Sequence, residues 1–158
     1  MKKLFSSFFL VLALSCGNDD EVCCTNIDVA ASFYVLDDMD GDLLDPGNPG
    51  SFNIIDIEVY DVIEGDSIRV FNSGLDAPKG ISLLSPEGQY INYRMRMQFD
   101  ESQGDSNKRV VKWDEEDMDV FVAQFEKGDN FAITTQIALN GEVVWEVDDG
   151  ERFFIIVK

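Results

Sequence analysis

From Ile27 almost to the end of the chain, apolar and polar residues alternate with a period of two, broken at short intervals by Gly, Pro, Asn and Asp. That period matches a half-buried β-strand, whereas the apolar face of a helix recurs every 3.6 residues. Ile27, Val29, Ala31, Phe33 and Val35 share one parity and Asp28, Ser32 and Tyr34 the other, which predicts a first strand. Residues 37–53, rich in Asp, Gly and Pro, read as a loop, and Ile55, Ile57 and Val59 then alternate with Asp56, Glu58 and Tyr60 as a second strand. Shorter runs follow at 67–71 and 81–84, separated by Gly74, Pro78 and Gly80.

The clearest strand is 89–99, where Ile91, Tyr93, Met95, Met97 and Phe99 oppose Asn92, Arg94, Arg96 and Gln98. Arg94 and Arg96 are expected to pair with carboxylates on neighbouring strands. Residues 108–113 form another strand candidate. In 115–127, Met118, Phe121, Val122 and Phe125 have helical spacing and Asp114 could cap a helix, yet the β-rich stretch from Val120 to Phe125 favours a strand from Val120 on.

Residues 131–148 predict a hairpin around Asn140-Gly141. A two-residue turn would pair Leu139 with Glu142 and set Ile133 and Ile137 on the face opposite Val143, Trp145 and Val147. A three-residue loop with Gly141 left-handed reunites them, so the longer loop with a bulge is expected. Residues 153–157 are apolar on both faces and are expected in the middle of a sheet. About eight short strands and no secure helix predict an all-β domain over 27–158: an antiparallel β-sandwich, immunoglobulin-like in version but without that family's Cys and Trp framework.

The N-terminus supplies an address. Lys2 and Lys3, the apolar run 4–14 and the small residues before Cys16 make residues 1–15 a secretory signal peptide, too short for a spanning helix. Leu12-Ala13-Leu14-Ser15-Cys16 resembles the lipobox of bacterial lipoproteins, although Ala13 stands where that family more often has Leu. The resemblance implies a lipid on the Cys16 thiol and an acyl group on its amine, and two or more chains hold a protein stably at a membrane. Residues 16–26 then read as the lipidated Cys and an acidic tether, and Asn18-Asp19-Asp20-Glu21 resembles the flank that sends some Gram-negative lipoproteins to the outer face of the outer membrane. Further on, Asp38-Met39-Asp40-Gly41-Asp42-Leu43-Leu44-Asp45-Pro46, a short loop, and Ile54-Ile55-Asp56-Ile57-Glu58-Val59-Tyr60 resemble the start of small, uncharacterised surface lipoproteins of Gram-negative bacteria. This implies a β-sandwich and a shared location, and supplies no activity.

Composition narrows the partners. With 31 acidic residues against 12 Lys and Arg, the formal net charge is −19, which repels phosphate backbones and anionic headgroups and excludes nucleic acid. Cations, basic proteins and neutral glycans stay open. The adjacent Cys23 and Cys24 leave a strained vicinal bond, an intermolecular bond or two free thiols equally open.

The chain has no His, so Ser-His-Asp and Cys-His arrangements are absent and zinc sites are crippled. Gly47-Asn48-Pro49-Gly50 lacks the lysine of a phosphate loop. No enzyme is expected. Asp38, Asp40, Asp42 and Asp45 alternate around Gly41 as calcium ligands do, but Leu36 and Gly47 occupy positions where an EF-hand register needs acids; a partial calcium site or a turn held by Asx side chains remains. Tyr34 and Tyr60 could offer stacking faces to a sugar, or could pack across strands. The expected role is a non-catalytic binding or interaction component on the outer membrane, contacting the membrane through its anchor and an unknown protein or glycan. The alternative is a calcium-dependent glycan-binding module.

Overall fold

The computed structural model describes residues 25–158. The expected signal peptide, Cys16, Cys23, Cys24 and nearly all of the expected tether lie outside the described residues. Eleven strands form two facing sheets: β1 (Asn26–Asp28), β2 (Ala30–Leu36), β3 (Glu58–Ile63), β4 (Asp66–Arg69), β5 (Ile81–Leu84), β6 (Arg94–Gln98), β7 (Ser106–Lys112), β8 (Met118–Gly128), β9 (Phe131–Leu139), β10 (Glu142–Glu146) and β11 (Phe153–Val157). The larger sheet runs β1-β9-β8-β7-β3-β4, with β10 also on β9, and the smaller runs β11-β2-β6-β5. The chain is therefore an all-β sandwich. Its sheets are mixed, because β1 joins β9 and β11 joins β2 in parallel while the other pairings are antiparallel.

Both sheets turn their even-period apolar faces inward. Phe33, Met97 and Phe154 from the small sheet meet Val59, Phe121 and Ile137 from the large one, all buried. Phe33 stacks between Phe121 and Phe154, with ring centroids 5.5 and 5.1 Å away, and meets the edge of Trp113 at 6.5 Å. Burying an aromatic or large aliphatic side chain contributes about 1.5–3 kcal/mol, so this layer is the main source of stability.

Several sequence expectations change in register. The first apolar run is two strands in two sheets: β1 pairs with β9, the chain crosses at the buried Val29, and β2 continues in the other sheet. The second strand starts late. Ile55 is exposed, since Asn53 draws the backbone into a turn by accepting the Ile55 amide at 3.1 Å, and β3 begins at Glu58. The strand expected over 89–99 is ladder-paired only as β6. Ahead of it the Ile91 amide donates to the Tyr34 hydroxyl and the Tyr93 amide to Asp42 Oδ2 (2.7 Å), so side chains replace the ladder.

The helix alternative is absent from 115–127: Asp114 Oδ1 accepts the amides of Glu116 and Asp117, closing one turn before β8. The β9–β10 loop has two residues, not three. Asn140 (φ 52°) and Gly141 (φ 91°) both take the left-handed region, Leu139 faces Glu142, and the bulge sits at Val144 inside β10. That bulge restores the parity that the longer loop was expected to restore, and buries Trp145 beside Ile137. Finally, β11 is an edge strand. Phe154 and Ile156 face the core, but Ile155 and Val157 are exposed, because only Phe153 on the outer face is covered, by Tyr34 and Tyr90.

Candidate functional site

The residues singled out in the sequence are not drawn into one place. Asp42 accepts the Leu44 amide on Oδ1 and the Tyr93 amide on Oδ2, stapling the β2–β3 loop to the approach to β6. Asp45 accepts the Gly47 amide at 2.8 Å, and Asp38 and Asp40 stand exposed. Asp37 closes the turn by accepting the amides of Met39 and Gly41. Among the described residues no group of three or more Asp, Glu or Cys is placed to hold a metal ion. The acidic loop is a series of Asx turns.

Tyr34 is 8% exposed on β2, and Tyr60 lies on β3 in the other sheet. The Tyr60 hydroxyl donates to Glu58 at 2.7 Å, a bond that pushes the Glu58 carboxyl down and the phenol up. The two rings do not share a face.

A different cluster assembles on the outer face of the small sheet, and it starts from the alternation of β6. Met95 and Met97 point into the core, so Arg94 and Arg96 point out. The cross-strand carboxylates expected for them are missing. Arg96 lies between Ser82 on β5 and Ser32 on β2, and Arg94 lies opposite Leu84. Neither guanidinium has an ion-pair partner among the described residues, although Arg69, Arg109, Arg152 and Lys158 each hold a carboxylate within 2.9 Å. Two residues apart on one strand face, the two arginines have Cα atoms about 7 Å apart, and their like charges repel.

Neighbouring elements hold Arg94 and Arg152 in place. The Arg94 guanidinium lies 3.5 Å from the centre of the Tyr90 ring, whose hydroxyl donates to Glu151, and Gln89 donates to the same carboxylate. Arg152, leading into β11, donates to Asp28 Oδ1 at 2.9 Å and to the Ala30 carbonyl at 2.8 Å, and lies over Trp145 at 4.9 Å. These groups enclose a cleft of about 520 Å³ whose floor is the small residues Ala30 and Ser32 and whose walls carry Arg94, Arg96, Arg152 and Trp145.

Five buried side-chain polar atoms lack a hydrogen-bond partner among the described residues, and three of them, Arg94 Nε, Trp145 Nε1 and Arg152 Nε, are N–H donors in residues lining this cleft. Unmatched donors in the walls add to the positive potential of the cleft. A second cleft, of about 450 Å³, is apolar, lined by Ile54, Ile55, Phe71 and Leu83, and Lys79 in its wall is engaged with the carbonyls of Ile54 and Ile57.

No protein-family model, curated protein or solved structure matches the chain. The cleft is therefore read on its own chemistry. Guanidinium groups keep their proton throughout the physiological range and present planar forks of N–H donors, so they recognise oxyanions and do not shuttle protons. An Arg-x-Arg pair on a strand of so acidic a protein was the legible signal for it. Arg152 and Trp145, which join the cleft from distant parts of the chain, carried none.

Proposed function

We propose that this chain is an outer-membrane surface lipoprotein, anchored through lipid on Cys16, whose β-sandwich is a non-catalytic binding component that takes an anionic ligand in the arginine cleft. The lipobox-like Leu12-Ala13-Leu14-Ser15-Cys16 and the acidic residues after it support the location. The observation that carries the binding role is the pair Arg94 and Arg96, left without a carboxylate on a protein with 31 of them.

Two experiments test the two halves. In the native host, Cys16→Ser is expected to leave an unlipidated precursor and to abolish labelling on intact cells; unchanged tethering overturns the anchor. For the cleft, the mature protein in non-ionic detergent is titrated with singly charged organic anions, and binding is expected to weaken about tenfold in Arg96→Gln, the loss of one charge-assisted contact. Binding that is indifferent to Arg96→Gln and Arg94→Gln overturns the assignment of the site.

A further inference from the structure

We infer that the cleft takes a singly charged carboxylate carried on a hydroxylated scaffold, that is, one acidic sugar residue within an otherwise neutral glycan. This rests on the anion-binding reading above and adds the ligand's charge and its carrier.

The charge follows from the lining. Arg94, Arg96 and Arg152 face Asp28 and Glu151, leaving one net positive charge. Asp28 is paired with Arg152, and Glu151 is held by Tyr90 and Gln89, so the unmatched charge is concentrated on β6. The chain as a whole carries a net charge of −19. At physiological salt the field extends about 8 Å, and its repulsion grows with every further charge on the ligand, so a monoanion fits where a phosphate dianion or a polyanion is penalised.

The carrier follows from size and polarity. A volume of about 520 Å³ lies in the range of small-molecule sites, roughly 300–1,000 Å³, and far exceeds a bare carboxylate. The floor is free of bulky side chains at Ala30 and Ser32, and the lining runs from β2 across β6 to Leu84 on β5, about 10 Å at the usual strand spacing. The lining offers donors on Arg94 and Arg96 and carboxylate acceptors on Asp28 and on Glu151, which shares Tyr90 with Arg94. A carboxylate on a scaffold of many hydroxyls satisfies both kinds of group, whereas an aliphatic acid leaves the acceptors unmatched.

The mature lipoprotein in detergent is titrated by calorimetry with four probes: a disaccharide of one glucuronate and one neutral hexose, the same disaccharide with its carboxyl reduced to an alcohol, a hexose 6-phosphate, and acetate. The uronate disaccharide is expected to bind, its reduced form about tenfold more weakly, and Arg96→Gln to erase the difference between them, with circular dichroism unchanged for this exposed residue. Tighter binding of the phosphate, or equal binding of acetate, overturns the present inference and leaves the anion site standing. Silence from all four overturns both.

Discussion

The buried ion pair between β3 and β7 offers a demanding test of the packing account. Asp61 is 7% exposed and accepts from Arg109 Nε (2.7 Å), Arg109 Nη2 (3.2 Å) and Asn107 Nδ2 (3.0 Å). Arg109 is 4% exposed. Among the described residues Asp61 is the only carboxylate the guanidinium holds, so Asp61→Leu strands a buried charge, at a cost of about 3–5 kcal/mol. Asn107 loses its acceptor as well, about 1 kcal/mol more, so the single replacement should cost at least 3 kcal/mol. With a urea m-value of about 1–3 kcal/mol/M, the midpoint should fall by roughly 2 M.

The informative partner is Arg109→Met added to Asp61→Leu. It removes both charges and also Arg109 Nη1, which has no hydrogen-bond partner among the described residues. The double variant should therefore recover to within about 2 kcal/mol of the parent, because well-packed apolar replacements of buried pairs are close to neutral. Equilibrium urea unfolding of the parent, both singles and the double closes the cycle. A cost below about 1 kcal/mol for Asp61→Leu alone, or a double variant as unstable as the summed singles, refutes the reasoning.

Three further outcomes are expected. Phe33→Ala, which deletes the ring stacked between Phe121 and Phe154, should cost about 3–5 kcal/mol by thermal or urea unfolding. Gly141→Ala meets no atom within 4 Å but must hold φ near 91°, so its cost of about 1 kcal/mol comes from the backbone alone and should lower Tm by about 3–5 °C. Burial alone would raise the Asp100 carboxyl; hydrogen bonds from Ser102 and Gln103, with the Arg109 charge, outweigh it and hold the group below its ordinary 3.8. A depressed acid stabilises the fold above its unfolded pKa and loses that contribution as pH falls through the folded value. Asp100→Asn should therefore lose less stability than the parent between pH 4 and pH 2, read from urea midpoints.

What the sequence conveyed was face, and what it withheld was neighbour. The inward set of β6, Met95 and Met97, follows from alternation alone, and the choice of strand over helix after Val120 follows from the β-rich residues there. Alternation cannot say which residue lies across a ladder, so Arg94 and Arg96 were expected to meet acids and instead meet Leu84, Ser82 and Ser32. The same gap explains β11, whose two apolar faces suggested a central strand although the sheet ends there. In the β9–β10 hairpin the parity conflict was legible, but a bulge at Val144 and a longer turn resolve it equally well, and only pairing decides between them. Tyr34 and Tyr60 were sound aromatic candidates by type. Their assignment to different sheets is a matter of topology, which lies beyond local pattern.

The contact of β11 with β2 sets the order in which this molecule can come together. Arg152 reaches Asp28 across 124 residues of chain, and the strand that follows Arg152 completes a sheet begun by one of the first to be synthesised. Pairings so remote in sequence slow folding, because loop closure must precede any gain from the contact. Every strand of the larger sheet precedes β11, whereas the smaller sheet lacks one edge until the chain is complete. A chain cut short before Phe153 would leave β2 as an open edge beside the Phe33 layer, a ready template for pairing with another chain.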